Sequence, residues 1–583
     1  MRKLVRVPDW VVLVGFCVVF SLETLASVAY HSATFDEPSD LVSGYMELTR
    51  GQYWLKPETL PFAKVVAALP LLVLGVRTPP ADDNPWTFYD RMLYEFNDGE
   101  RLLMVARASV LTFSLLLGCL VFAWTRRLFG RAAALFALGL YAFEPNLVAH
   151  SALVTTDLAV ACFFFLAVYG LFRLVEHASI GRLVVMSLAL ALAVVTKLSA
   201  GSLVFVLGLL ALIAGVSTVE IPLWIAGRRV STLAPRGRKL IGLAGMLLVA
   251  GLVAYGAIWA TYRFDYSGLP AGGPPPAWKE LAAEGTLGAH ALGWLRHTRI
   301  FPEPYVYNFF YHLHVARWAP GFLLGQIRAG GWWYYFVVTL LVKTPVPLLA
   351  LVGLALVVQA KRWRTTGLAS AFLMIPAAVY FVFISASGFN LGHRHLLASV
   401  PFLLVSTGVL IPWAAERGVW VRGGLAVLAC WYVASSLSIF PHYLAYFNEF
   451  AGGPGRGGRY LVDSNVDWGQ DLKGLKRYMD RHGIERVWLS YFGTVNPEHY
   501  GIRYDPLPGS PPWWRPVRPD LLGLERLPRM SGTVAISVTH LQGVYLPLYG
   551  ATRGYFERYR DIEPAAKIGY SIFVYRLEGG SNR

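Results

Sequence analysis

Apolar blocks dominate this chain of 583 residues and limit what it can fold into. The blocks are about 12–25 residues long, and a helix needs about 20 apolar residues to cross a bilayer. Only 15% of the residues are charged, whereas a soluble protein carries about 25%. These observations exclude a soluble enzyme, a disordered chain and a fibrous protein. They predict a polytopic α-helical membrane protein.

The order of the blocks predicts about eleven transmembrane helices. The third and fifth blocks are short for a full crossing, and Pro345 and Pro347 are expected to kink the eighth. The predicted spans cover residues 11–30, 102–124, 132–143, 158–174, 183–196, 199–219, 240–262, 333–359, 366–385, 396–413 and 421–440.

Lys and Arg side chains gather at every second join between these spans. They are Arg2, Lys3, Arg6, Arg126, Arg127, Arg131, Arg182, Arg228, Arg229, Arg236, Arg238, Lys239, Lys361, Arg362, Arg364, Arg417 and Arg422. Because short basic loops stay on the cytoplasmic side, we expect the other joins, among them 31–101 and 263–332, to lie outside. The basic start and the small residues at 27–29 also resemble a cleaved signal peptide. The length of the first block and Glu23 favour a retained span.

The chain is expected to have two domains. Residues 1–440 hold the spans, and residues 441–583 form a separate extracytoplasmic domain. Within the second domain, apolar residues recur at helical spacing over 470–482. Strand-like runs follow at 486–492, 533–539 and 571–577. This pattern predicts a small α/β domain.

Ionisable residues collect toward the outer ends of the predicted spans. They are Glu23, Arg107, Asp157, Lys197 and Lys343. Each such residue costs about 2.5–3.5 kcal/mol to insert into a bilayer, so it usually marks function. The one-sided distribution predicts a polar cavity that opens outward, and snorkelling with chance ion pairing is the alternative.

The first outer loop, residues 31–101, places two adjacent carboxylates, Asp36 and Glu37, directly after the first span. Such a pair often caps a helix, and Pro38 suits a first helical turn. The cations expected on the same side of the membrane favour a catalytic role instead.

Histidines alternate at 312 and 314 and again at 393 and 395. Alternating histidines can ligate zinc, but no third and fourth ligand stand at a set spacing. We therefore predict no metal site and no required cofactor, with a divalent metal as the open alternative.

An outward-facing site has no ready supply of nucleotide-activated substrates, so its activated donor is most simply carried on a lipid. A sugar on a polyprenyl phosphate already has a competent leaving group. Its transfer needs one carboxylate, Asp36 or Glu37, to deprotonate the acceptor hydroxyl. It also needs cations for the developing phosphate charge. The candidate cations are Lys64, Arg107, Lys343 and Arg394.

Several ordered motifs resemble those of the protein O-mannosyltransferase and aminoarabinose-transferase group. They include Thr34-Phe35-Asp36-Glu37-Pro38, Pro61-x-Ala63-Lys64, Ala106-Arg107-Ala108-Ser109, Thr155-Thr156-Asp157, Thr196-Lys197, Lys343-Thr344-Pro345, Asn390-Leu391-Gly392-His393-Arg394-His395 and the Asp463-to-Leu472 stretch. Members of this group are phospholipid-carrier-dependent glycosyltransferases of the C-type membrane fold.

The resemblance implies roles for particular residues. Asp36 is expected to be the catalytic base, with Glu37 beside it in the catalytic site. The residues expected to hold the donor phosphate are Lys64, Arg107, Lys197, Lys343 and Arg394. The residues expected to bind other parts of the substrates are Glu58, Asp157, His393 and His395.

The expected activity is an inverting transfer of mannose or a related sugar from a polyprenyl-phosphate carrier to an extracytoplasmic hydroxyl, catalysed at the plasma membrane. The acceptor is a protein, a lipid or a glycan, and no nucleic acid takes part. A transporter or flippase for lipid-linked sugars and a non-catalytic scaffold of the same fold are the alternatives. The sequence names neither the sugar nor the acceptor.

Overall fold

The computed structural model describes residues 7–80, 82, 84–270, 276–509, 515–528 and 530–577. Arg2, Lys3 and Arg6, the basic residues expected before the first span, lie outside the described residues. The described chain forms a large set of apolar helices followed by a mixed β-sheet.

Apolar helices form at every predicted block. Seven of those in the described residues are long and apolar enough to cross a membrane: Asp9–Tyr30, Gly99–Phe129, Asp157–Glu176, Leu198–Val216, Arg236–Thr261, Thr366–Ala386 and Val419–Leu437. Two bent pairs raise this number to nine, namely Arg131–Ala142 with Pro145–Ser151 and Tyr335–Lys343 with Val346–Lys361. The chain is thus a multi-pass membrane protein.

The difference from eleven lies in two short apolar helices, Ile180–Val194 and Val400–Ala415. At a rise of about 1.5 Å per residue, the first of them is about 22 Å long. The hydrocarbon core of a bilayer is about 30 Å thick, so length alone does not make either helix a full crossing.

The predicted kink at the eighth block is a complete break. The helices Tyr335–Lys343 and Val346–Lys361 meet at 113°. Thr344 adopts an extended conformation, as expected for a residue that precedes a proline. Pro345 then starts the second helix without an N–H to donate. Lys343, the last residue of the first helix, is buried at this bend.

Shorter elements connect the long helices. The remaining helices include Glu37–Arg50, Pro61–Ala68, Pro85–Asp90, Trp278–Leu281, Leu287–Thr298 and Glu303–Trp318. Two small sheets are also present. One has three strands, Ala178–Ser179, Ile221–Ile225 and Arg228–Leu233, and the other has two, Pro320–Leu323 and Gln326–Ala329.

The C-terminal region contains a five-stranded sheet. In spatial order its strands are Tyr504–Pro506, Val487–Ser490, Gly532–Ser537, Ile572–Leu577 and Ala566–Ile568. The first three are parallel and the last two pair antiparallel. Helix Leu472–Arg481 packs its buried residues Leu472, Leu475 and Met479 against this sheet. The helix and three of the strands lie where the sequence pattern places them.

The C-terminal region shares its core with the helices. Trp468, Phe492 and Val538 belong to the same buried apolar cluster as Phe164 and Phe402 of the helical region. Backbone hydrogen bonds reinforce this packing, since the N–H of Phe35 donates to the carbonyl of Trp468 at 2.7 Å. The first loop is therefore held between the helices and the C-terminal region.

Candidate active site

A cavity of about 310 Å³ opens beside Asp36, and we refer to it as the Asp36 cavity. It lies at the ends of several long helices, where the first loop meets the loop around Arg394. Its polar lining residues are Asp36, Asp40, Lys56, Glu58, Thr59, Thr155, Thr156, Thr196, Lys197, Asn308, Tyr311, His312, Arg394 and His395. Phe35, Trp86 and Phe389 supply apolar walls.

Asp36 stands at the N-terminus of helix Glu37–Arg50, but its side chain makes no capping hydrogen bond. Instead Oδ1 accepts from Lys56 Nζ at 3.3 Å and Oδ2 accepts from Arg394 Nη1 at 3.1 Å. The side chain keeps 25% of its surface exposed. The helix-capping alternative therefore does not describe the Asp36 carboxylate, which faces the cavity between two cations.

These cations determine the protonation state of Asp36. Burial by itself raises the pKa of the carboxyl group, but Lys56 and Arg394 outweigh it and lower the pKa below its usual value. The group is thus a carboxylate at neutral pH. A basic oxygen is available in the cavity without any prior deprotonation step.

Alternating charges continue along the cavity from Asp36. Arg394 also approaches Asp157 at 3.8 Å, and Asp157 forms an ion pair with Lys197. The guanidinium of Arg394 lies over the ring of Trp468, 4.3 Å from its centroid, which fixes its plane. Arg394 and Lys197 keep 14% and 19% of their side chains exposed. Both cations can therefore reach a ligand in the cavity.

Lys56 and Asp40 belong to this site, although the sequence argument did not select them. Lys56 Nζ lies 2.9 Å from Asp40 Oδ1 and donates to Ser39 Oγ at 2.8 Å. The spacing carried a signal, because Asp40 follows Asp36 by four residues and so shares its helix face. The carboxylates of Asp36 and Asp40 raise the pKa of Lys56, against the effect of burial.

Glu37 lies outside the cavity and is completely buried. It forms a two-pronged ion pair with Arg107, at 2.9 Å from Nε to Oε1 and 2.6 Å from Nη2 to Oε2. Its oxygens also accept from the N–H groups of Thr34 and Val154 at 2.9 and 3.1 Å. Arg107 donates further to two backbone carbonyls and is 1% exposed. Glu37 and Arg107, both expected to contact substrate, thus form a buried ion pair with each other instead.

Lys64 and Lys343 are buried behind the cavity, each about as deeply as Arg107. Lys64 pairs with Glu47 at 2.6 Å and donates to the carbonyl of Lys56 at 3.1 Å. Lys343 donates to the carbonyls of Leu444 and Asn465 at 2.8 and 2.6 Å. Neither residue lines the cavity. Of the five cations expected to hold the donor phosphate, Lys197 and Arg394 line the Asp36 cavity, and the other three do not.

The residues expected to bind other parts of the substrates are also divided. Glu58 and His395 line the cavity, and Asp157 contacts it through Lys197 and Arg394. His393 does not line it, and its backbone N–H donates to Asn465 Oδ1 at 2.9 Å. Burial, aided by Lys197 and Arg394, lowers the pKa of His395 well below its usual value. His395 is therefore a neutral hydrogen-bonding group.

Two carboxylates of the Asp36 cavity, Asp36 and Asp40, form ion pairs with Lys56 or Arg394. Across the described residues, the histidines at 312, 314, 393 and 395 join no group of three or more converging ligands. The site as folded is suited to hold an anion with Arg394 and Lys197 beside the Asp36 carboxylate.

Comparison with known proteins gives one family match. Residues 99–227 match the profile of the dolichyl-phosphate-mannose-protein mannosyltransferase family. This segment contains Arg107, Asp157 and Lys197. The resemblance to the protein O-mannosyltransferase and aminoarabinose-transferase group is thus confirmed over this segment. No curated protein shows a significant match to the chain.

Solved structures with a similar course of the chain include ArnT from Cupriavidus metallidurans. In its apo state ArnT is 14% identical, with 97% of each chain covered and a TM-score of 0.46. Its structure with undecaprenyl phosphate gives 14% identity, the same coverage and a TM-score of 0.44. The Archaeoglobus fulgidus oligosaccharyltransferase is 13% identical, covering 93% of this chain and 72% of its own, with a TM-score of 0.43.

Proposed function

We propose that this protein is an inverting glycosyltransferase that moves a sugar from a polyprenyl-phosphate carrier to an acceptor hydroxyl. The observation that carries the proposal is the position of Asp36. Its carboxylate faces a cavity between Lys56 and Arg394, with Lys197 on the same wall. The family match over residues 99–227 supports a lipid-linked sugar as the donor class.

Asp36 acts as the general base in this mechanism. The carboxylate takes the proton of the acceptor hydroxyl as the oxygen attacks the anomeric carbon, and direct attack inverts that carbon. A low pKa makes Asp36 a weak base while Arg394 contacts it. A phosphate that binds Arg394 draws the guanidinium away from Asp36, which raises the pKa of the carboxyl group. Donor binding thus strengthens the base at the moment it is needed.

Arg394 and Lys197 stabilise the leaving phosphate. The guanidinium offers two parallel N–H groups to phosphate oxygens, and the lysine offers a mobile charge. Asp157 approaches both cations, and the Arg394 guanidinium lies over the Trp468 ring. Because these contacts do not involve Asp36, both cations stay at the cavity when Arg394 leaves Asp36, and little further reorganisation accompanies the build-up of negative charge. The phosphate needs no proton to leave, so the mechanism contains no general acid.

The cavity is proposed to face the extracytoplasmic side of the plasma membrane. Asp36, Asp157, Lys197 and Arg394 stand at one set of helix ends, whereas basic clusters such as Arg126 to Arg131 stand at the opposite ends. Positive loops favour the cytoplasm. This orientation supports acceptors on exported proteins, lipids or glycans. The candidate donor sugars are mannose, another hexose and an amino-pentose.

The test uses the purified full-length protein in lipid nanodiscs with a panel of labelled polyprenyl-phosphate sugars. We expect at least one donor to release polyprenyl phosphate and a product of inverted anomeric configuration. The variant Asp36→Asn should lose this release. Asp265→Asn changes an exposed aspartate that does not line the cavity and serves as its matched control. In sealed proteoliposomes, flipping of labelled lipid across the bilayer without cleavage of any donor would instead identify a transporter.

A further inference from the structure

A second group of polar side chains converges outside the lining of the Asp36 cavity. His31 follows the first long helix, His442 follows the last, and Asp471 precedes helix Leu472–Arg481. His31 Nε2 and His442 Nδ1 lie 3.1 Å apart. Asp471 Oδ1 lies 3.7 Å from the first nitrogen and 3.8 Å from the second. Three separate segments thus direct one ligand atom each at a common point.

The spacing of these atoms matches the size of a metal ion. For a triangle with sides of 3.1, 3.7 and 3.8 Å, the point equidistant from the corners lies about 2.1 Å from each, which equals a typical Zn–N or Zn–O distance. The His442 side chain is 21% exposed, so solvent reaches this group and can supply a fourth ligand.

Charge balance supports the same interpretation. Asp471 is 2% exposed, and a buried carboxylate requires a positive partner. Among the described residues, no Lys or Arg nitrogen lies within 4 Å of its oxygens, and only the two imidazoles do. A divalent cation bound by neutral imidazoles would supply the missing charge.

Neighbouring groups hold the ligands in place. Ser571 Oγ donates to Asp471 Oδ2 at 2.7 Å, which leaves Oδ1 facing the histidines. Gly569 lies so close that a Cβ there would stand 2.1 Å from Oδ2. Next to His31, the N–H of Ser32 donates to the carbonyl of Gln470 at 2.8 Å. The segments that carry the ligands are thus already joined by hydrogen bonds.

We propose that His31, His442 and Asp471 bind a divalent transition metal, with Zn²⁺ as the best fit to two imidazoles and one carboxylate. Water fills the fourth position. The metal fastens the start of the first loop, five residues before Asp36, to the C-terminal region. This site is separate from the Asp36 cavity, and its existence does not depend on the proposed function.

The test measures zinc in the purified full-length protein, prepared with a tag that contains no histidine. We expect about one zinc per wild-type chain and less than about one tenth of that in Asp471→Asn and His442→Gln. Ser571→Ala removes a partner of a ligand, and we expect zinc to bind it about 10–100-fold more weakly. A chelator should lower the melting temperature of the wild type but leave that of the Asp471→Asn variant unchanged.

The matched control is His499→Gln. His499 forms a pair with Asp90 at 3.0 Å that joins no group of three converging ligands in the described chain, so its loss should not change zinc content. If Asp471→Asn fails to fold, the test uses His442→Gln instead, because the His442 side chain is 21% exposed and the Asp471 side chain only 2%. Zinc content that is equal in wild type and in His442→Gln, with zinc supplied, would overturn the proposal.

Discussion

Asp36 and Glu37 are neighbours in sequence but belong to two different regions. Asp36 faces the Asp36 cavity and keeps a quarter of its side chain exposed, whereas Glu37 is buried behind it with Arg107. The helix that begins at Glu37 explains the separation, since successive helical residues point about 100° apart. One carboxylate is therefore exposed to the cavity, and the next one is buried and fixes the loop that carries both.

The cations show the same division. Arg394 and Lys197 are partly exposed and line the cavity, whereas Arg107, Lys64 and Lys343 are nearly inaccessible and bound to carboxylates or carbonyls. The comparison shows that the charged residues of this region fall into two groups with different environments. Charges at the cavity keep part of their surface exposed, and buried charges hold segments together. The following variants test this division.

Asp36→Asn should have the largest effect on turnover. The amide keeps the shape but cannot accept the acceptor proton, and general-base catalysis is worth about 10²–10⁴-fold. We expect kcat to fall by that factor while the melting temperature changes little. Initial rates of donor cleavage, beside thermal unfolding, measure both quantities. A variant that retains more than half of wild-type kcat would place the base elsewhere.

Glu37→Gln should act on stability rather than on chemistry. It leaves the Arg107 guanidinium buried without its counter-charge, which costs about 3–5 kcal/mol. Thermal unfolding of the purified protein in detergent measures the loss. The double variant Glu37→Gln with Arg107→Met removes the stranded charge and should recover part of it. Equal melting temperatures for Glu37→Gln and Asp36→Asn would contradict the division between the two carboxylates.

Arg394→Gln should weaken donor binding and shift the pH profile. A hydrogen bond to a charged group contributes about 1.5–3 kcal/mol, so the Kd for polyprenyl phosphate should rise about 10–150-fold. The Arg394 cation lowers the pKa of Asp36, so its removal raises that pKa. Because the base must be ionised, the acid limb of kcat/KM should move to higher pH. An unchanged limb would show that Arg394 does not control Asp36.

Lys343→Met should have the smallest effect on the cavity. The change leaves the carbonyls of Leu444 and Asn465 without their donor, at a cost of about 1–3 kcal/mol in stability. Because Lys343 does not line the cavity, the Kd for polyprenyl phosphate should stay within about twofold of the wild-type value. Equilibrium binding of the lipid to both proteins provides the measurement. A loss of affinity as large as that of Arg394→Gln would move Lys343 into the donor site.

The sequence indicated the helical blocks because hydropathy is a local property. A bend near Pro345 followed from proline chemistry, although the structure shows a complete break rather than a kink. The buried face of helix Leu472–Arg481 followed from helical spacing. The number of crossings did not follow. Whether a short helix such as Ile180–Val194 crosses the membrane depends on its length and surroundings. Composition alone does not distinguish a short helix that crosses from one that does not.

The sequence predicted those residues of the site whose type and position in the chain are informative by themselves. Asp36, Lys197 and Arg394 were selected from their types and positions, and the structure places them at one cavity. Lys56 was overlooked because a lysine in a loop looks like a solvent-exposed charge. Only folding brings its Nζ within 2.9 Å of Asp40.

By itself the sequence determined that the chain is a membrane protein with charges collected at one set of helix ends. Only the tertiary structure decided which of those charges face a cavity and which cancel one another in the interior. The reason is distance along the chain. Asp36 and Arg394 are 358 residues apart, and no local pattern records which partner a side chain meets when helices pack.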